Sequence, residues 1–244
     1  VFTPAEVLDW AWRLPFLAGG VFGLCAVYLR RMLQETPVFA ELQQRKSLAD
    51  ELPLKAVLRE HRRAIVLSML LTWVLSAAIV VVILMTPTLL QTQYGFAAAT
   101  TLKANSLAIV FLSIGCVAAG AIVDRVGPGL VLLVGGVLLG VSAWLFYSSL
   151  KLHPDALLTM YALTGLLVGT IGAVPYVMVN AFPAVVRFSG LSFSYNVAYA
   201  IFGGLTPLVV SLMVKWDPLG PAYYVVALCG LAVVIGFHLH RQGR

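Results

Sequence analysis

The chain has 244 residues, 61% of them apolar and 11% charged, with a formal net charge of +6 and a mean hydropathy of +0.96. A soluble domain averages about a quarter charged residues, so this chain cannot cover a water-facing surface and a soluble globular fold is excluded. The positive charge does not point to nucleic acid, because eight of the sixteen Lys and Arg fall in residues 30–63, between long apolar runs.

Taken in chain order, residues 1–10 read as an outer loop. Acidic Glu6 and Asp9 stand where a signal peptide would be basic, and there is no initiator Met, so the chain reads as a piece of something longer. A first membrane span is expected at 11–29. Residues 30–63 carry eight basic and five acidic residues, with breaks at Pro37 and Pro53. Stretches 38–47 and 54–62 fit either short amphipathic helices on the membrane surface or a solvated linker. Charge-free runs long enough to cross a bilayer core, which takes about 20 helical residues, then predict six more spans: 64–88, 99–123, 129–150, 156–181, 189–213 and 221–240. Gln91-Thr92-Gln93-Tyr94-Gly95 ends the first of these six. The expected fold is all-α and polytopic, with seven transmembrane helices. Its parts are the outer loop and first span (1–29), a cytoplasmic central loop (30–63), a six-helix bundle (64–240) and a short cytoplasmic tail (241–244).

Short loops rich in Lys and Arg stay in the cytoplasm. With 30–63 inside, alternation places Arg125, Arg187, Arg241 and Arg244 inside as well, and Arg13, Lys103, Lys151 and Lys215 outside: twelve cations against four. Two turns echo each other. Asp124, Gly127 and Pro128 recur as Asp217, Gly220 and Pro221, displaced by 93 residues and by three spans. Such an offset suits an inverted three-helix repeat, or a coincidence of Gly-Pro turns. Cys25, Cys116 and Cys229 all fall within spans and read as small buried apolar residues rather than disulfide or zinc partners.

Several segments then carry a resemblance. Trp12-Arg13-Leu14-Pro15-Phe16-Leu17, with Tyr28-Leu29-Arg30-Arg31 and Glu35-Thr36-Pro37-Val38-Phe39, resembles the sixth helix and central loop of the metabolite:proton symporter family of the major facilitator superfamily. Phe182-Pro183-Ala184-Val185-Val186-Arg187-Phe188-Ser189-Gly190, continuing through Ser194-Tyr195-Asn196 to Gly203-Gly204-Leu205-Thr206-Pro207, resembles its turn between helices ten and eleven. The resemblance covers essentially the whole chain. It implies a twelve-helix transporter of two halves, of which this chain carries helices six to twelve, with the N-terminal half of the same transporter as its partner. One departure concerns the turn between helices eight and nine: Gly120, Asp124, Arg125 and Gly127 fit the superfamily pattern, but Pro128-Gly129 replace its paired arginines.

No Asp or Glu lies in the interior of any predicted span, so the usual intramembrane proton carrier is absent from this segment. No acid pair or ligand-spaced His cluster suggests an enzyme, a metal or a cofactor. The sixth span carries a polar stripe, Ser192, Tyr195, Asn196, Tyr199 and Thr206, at helical spacing. Polar groups do not face lipid cheaply, so the stripe either bonds to neighbouring helices or lines a cavity. On the second span Ser68, Thr72 and Ser76 lie one turn apart beside Trp73. On the fifth, Gly165, Gly169 and Gly172 permit close packing, and Tyr176 and Asn180 continue that face. The resemblance makes the second and fifth spans pathway helices, so Trp73, Tyr176 and Asn180 join Tyr195, Asn196 and Tyr199 as substrate-binding candidates. Asp124 and Arg125 are gating candidates through the dipole of a helix in the other half, or else form a plain orientation signal; Arg187 divides the same way. Pro175 and Pro207 interrupt backbone bonding within spans. The expected function is proton-coupled symport of a small polar, anionic metabolite across a bacterial inner membrane. A facilitator without proton coupling and a non-transporting subunit or receptor are the alternatives.

Overall fold

The computed structural model describes residues 2–32 and 53–242. Its described residues form helices α1 (Pro4–Asp9), α2 (Leu14–Met32) and α3 (Pro53–Glu60). Six long helices follow: α4 (Arg62–Thr92), α5 (Ala98–Val126), α6 (Pro128–Ser149), α7 (Pro154–Asn180), α8 (Arg187–Trp216) and α9 (Gly220–Gln242). Those six, and Ala11–Arg30, are long and apolar enough to cross a membrane, seven candidate spans in all. The chain divides into two compact units, Val1–Leu48 and Ala49–Arg244.

In the first unit the expected outer loop is partly helical. Thr3 accepts from the Glu6 N–H through Oγ1 (3.3 Å), and Glu6 Oε2 accepts from the Thr3 N–H (2.7 Å), a reciprocal capping box that starts α1. The Thr3 N–H, and next the Thr3 hydroxyl that donates to the same oxygen at 2.8 Å, hold the Glu6 carboxyl below the usual carboxylate range. The stretch 38–47 lies outside the described residues, as does the tail beyond Gln242. Cys229 is buried and Cys116 partly so, but Cys25 is exposed, contrary to expectation.

In the second unit the long helices pack chiefly in pairs: α5 with α7, α6 with α9, and α4 with α8. Glycines set the first two pairs at backbone contact. A Cβ on Gly165 would lie 2.3 Å from the Ala108 carbonyl oxygen, and one on Gly169 would lie 2.3 Å from the Gly115 carbonyl carbon. Between α6 and α9, a Cβ on Gly236 would lie 2.6 Å from the Leu133 nitrogen. The core runs in layers. Val57, Ile65, Phe182 and Val186 close one end, the end that bears Arg62, Arg125, Arg187 and Arg241. Leu71, Val123, Leu132, Met178 and Ile235 follow, and Phe146, Tyr147 and Tyr161 fill the far end.

Three of the long helices are irregular, each just before a proline. The ladder of α4 widens over Ala78–Met85, ahead of Pro87; that of α8 widens over Tyr199–Gly203, ahead of Pro207; and α7 tightens over Gly169–Gly172, ahead of Pro175. A proline ring clashes with the carbonyl four residues back and offers it no N–H. Those carbonyls belong to Ile83, Gly203 and Ile171, and each lies inside its irregular segment. The two Asp–Gly–Pro turns do not share a local geometry. Gly127 has φ +83° and ψ 158°, a region open essentially only to glycine, and Gly220 has no positive φ.

Candidate functional site

The wide turn of α8 meets α4 well inside both helices. Trp73 lies eleven residues into α4, about 16 Å along a helix rising 1.5 Å per residue, in a bilayer core about 30 Å thick. Its indole stacks on Phe202 of α8 with ring centroids 4.3 Å apart and planes 9° from parallel. The indole Nε1–H donates to Tyr224 Oη of α9 at 3.0 Å. That same oxygen lies 2.8 Å from Thr206 Oγ1, and Thr206 in turn donates to the Phe202 carbonyl at 2.6 Å. Three helices are therefore tied through one tyrosine hydroxyl, a residue that sequence periodicity gave no reason to single out.

A second joint of the same construction lies farther along α4. Thr86 precedes Pro87 as Thr206 precedes Pro207. Its Oγ1 donates to the Val81 carbonyl at 2.9 Å and lies 2.6 Å from Tyr147 Oη of α6. Both joints thus set a Thr-Pro step against a tyrosine from a neighbouring helix.

The polar stripe of α8 is not one face. Thr206 is fully buried, whereas Tyr195 and Asn196 are exposed and Ser192 and Tyr199 are half-buried. The widened turn between them adds a residue to the helical repeat, so a count of 3.6 that spans it loses register and Thr206 swings into the bundle. Tyr195 and Tyr199 remain together, their rings stacked at 5.5 Å. Asn196 Nδ2 donates to the Ser192 carbonyl at 2.8 Å, which leaves its amide oxygen directed to no described residue.

The other candidates separate from this cluster. Ser68, Thr72 and Ser76 are fully buried. Thr72 bonds back to the Ser68 carbonyl (2.8 Å) and Ser76 to the Trp73 carbonyl (2.9 Å), while the Ser68 hydroxyl has no partner among the described residues. Tyr176 is 46% exposed, but it lies one turn from the end of α7, and Asn180 is the last residue of that helix. Both sit on the order of 10 Å nearer the arginine-bearing end than Trp73 does. Asn180 Nδ2 donates to the Tyr176 carbonyl (2.9 Å). At that same end Asp124 and Arg125 are exposed and make no ion pair among the described residues. Arg187 folds back on its own turn, its Nε donating to the Phe182 carbonyl at 3.2 Å. Among the described residues, no three His, Cys, Asp or Glu side chains converge where a metal could sit.

Comparison with known proteins fits this architecture. The model of the Major Facilitator Superfamily matches residues 5–207. A citrate–proton symporter of Salmonella typhi is 31% identical over 236 residues, which cover 93% of this chain and 53% of that protein. A citrate–proton symporter of Klebsiella pneumoniae is 27% identical over 238 residues, 95% of this chain and 53% of that protein. An ectoine/proline transporter of Corynebacterium glutamicum is 30% identical over 246 residues, 93% of this chain and 48% of that protein. The chain thus spans about half the length of the curated relatives it matches. No solved structure matches it. With seven apolar helices of spanning length and a family match over most of its length, this chain is a multi-pass membrane protein that belongs to the major facilitator superfamily.

Proposed function

We propose that the chain is the C-terminal half of a secondary transporter that moves a small carboxylate-bearing metabolite together with protons by alternating access. One observation carries the reading. The helix richest in polar and aromatic side chains, α8, is the least buried of the six in the bundle, with 17% of its most apolar stretch buried, against 22% in α5, 56% in α7 and 61% in α4. Tyr195 and Asn196 point outward at mid-depth, where lipid would be a costly neighbour. A second half of the transporter, with a substrate cavity between the halves, is the surrounding that satisfies them. The carboxylate class follows from the relatives, since citrate, ectoine and proline all carry one.

Charge placement supports an orientation with the arginine-bearing end, the central loop and the tail in the cytoplasm of an inner membrane. Asp124, Arg125 and Arg187 then line the inner mouth, where an N-terminal half would meet them. The interiors of the six bundle spans hold no acid, so the proton-carrying carboxylate belongs to the other half. The same absence favours a second reading, a facilitator without proton coupling. Uptake by liposomes holding the complete transporter, measured with and without an imposed pH gradient, separates the two. Symport requires accumulation only with the gradient, and a facilitator equilibrates its solute in both cases.

A further inference from the structure

The short helix α3 carries three stripes in order around its circumference. Val57 is fully buried against Ile65, Phe182 and Val186, which docks α3 on the arginine-bearing end of the bundle. Next come Leu54 and Leu58, one turn apart and still 43% and 42% exposed. Beyond them stand Lys55 and Arg59, again one turn apart and exposed. One residue, His61, separates α3 from α4, and Arg62 and Arg63 open the longer helix at that elbow. Arg59, Glu60, His61, Arg62, Arg63 and Ala64 line an open cleft of about 460 Å³ that Ala181 closes on the far side. The arginines are incompletely used. Arg59 pairs with Glu60 at 2.7 Å, but both side chains are more than half exposed, so the pair is weak. Arg62 gives only its Nε–H, to the Leu58 carbonyl at 3.3 Å. Arg63 has no partner among the described residues.

We infer that this elbow binds the headgroup of an anionic phospholipid, with the acyl chains lying along Leu54 and Leu58. Charge complementarity favours an anion, since Arg59, Arg62 and Arg63 stand at the elbow against the one carboxylate of Glu60. The exposed leucines select a lipid over a soluble anion. A soluble ligand would leave them in water, whereas a helix at the membrane surface buries such a stripe among the acyl chains and keeps its cations at headgroup level. Guanidinium forks also match phosphate oxygens pairwise.

The test is native mass spectrometry of the purified full chain exposed to equal amounts of phosphatidylglycerol and phosphatidylcholine. Phosphatidylglycerol adducts are expected in several-fold excess. Any one of Arg59→Gln, Arg62→Gln and Arg63→Gln should lower the excess by up to about fivefold, and the three together should bring it to parity. The triple Arg→Lys variant should keep most of it, and added salt should reduce it in the unmodified protein, which holds the test open if a Gln variant fails to fold. Leu54→Ser with Leu58→Ser should weaken retention of both lipids and leave the charge preference in place. Equal retention of the two lipids, or a preference that the Gln and salt arms leave unchanged, overturns the inference. Displacement by inorganic phosphate, equally effective with and without the leucines, would mark a soluble-anion site and overturn it as well.

Discussion

Tyr161 Oη lies 2.6 Å from the Val82 carbonyl oxygen, and Pro87 explains why. Over the wide turn of α4 the backbone bonds reach five residues back, as the Thr86 N–H to the Val81 carbonyl shows. The next such bond would run from residue 87 to Val82, and proline has no N–H to give. A tyrosine from α7 supplies the missing donor. The same hydroxyl lies 2.6 Å from the Asn105 side-chain oxygen. It has one proton, so both contacts are satisfied when the Asn105 amide is turned to donate. Tyr161→Phe leaves a buried carbonyl unpaired, at a cost of about 1–3 kcal/mol. Thermal unfolding in detergent should show this as a lowered midpoint; an unchanged midpoint would mean that Val82 finds another donor.

The Tyr224 hydroxyl joins Trp73 to Thr206, whereas its neighbour Tyr223 donates to Asp217 at 2.9 Å from an exposed position. Tyr224→Phe should therefore destabilise the bundle more than Tyr223→Phe does, by about 1 kcal/mol or more. Equal effects in the same unfolding assay would show that the three-helix tie contributes nothing.

The spans were legible because a membrane helix needs a long run with few charges, and such runs, cut once more by Gln91-Thr92-Gln93-Tyr94-Gly95, coincide with the helices to within a few residues. The predicted 129–150 and 221–240, for example, are Pro128–Ser149 and Gly220–Gln242. The helix at the second unit's start was half legible: 54–62 fitted a helix or a linker, and Val57 docks it as α3. The amino-terminal helix is encoded locally, in the Thr3–Glu6 capping box, rather than in any apolar run. The joints were less accessible. Pro87 marks a break in the ladder, but whether a ladder widens or tightens depends on donors from other helices. Tyr161 is such a donor, reaching the Val82 carbonyl from 79 residues away, while Tyr147 and Tyr224 meet the Thr86 hydroxyl and the Trp73 indole from 61 and 151 residues away. Thr206 was misplaced for the same reason, since the extra residue in the turn before it does not show in spacing.

Asn196, Tyr195 and Tyr176 separate pathway from packing. Membrane side-chain hydrogen bonds average about 0.6 kcal/mol, so Asn196→Ala should barely change folding. If its amide meets substrate, the same change leaves a buried substrate group unpaired, costing about 1–3 kcal/mol, on the order of 5- to 150-fold in affinity. Tyr195→Phe and Tyr176→Phe delete a hydroxyl and keep shape. At least one of the three, made in the complete transporter, should raise the apparent transport constant at unchanged expression. Normal transport by all three would assign these residues to packing.

Orientation is read by labelling single cysteines with a membrane-impermeant reagent, in a background where Cys25, Cys116 and Cys229 are replaced. Cysteines at Ser148 and Lys215 should label from outside intact cells. Those at Gln242, and at Gln44, which lies outside the described residues, should label only after the membrane is opened. Outside labelling at position 44 would reverse the assignment.

The central claim is that α8 presents half of a pathway and needs the other half to complete it. Uptake of radiolabelled citrate, ectoine and proline into liposomes under a pH gradient tests this directly, with the 244-residue chain reconstituted alone or joined to an N-terminal half. The chain alone should give no saturable, gradient-driven uptake, and the joined protein should accumulate its solute. Saturable uptake by the chain alone would contradict the half-transporter account.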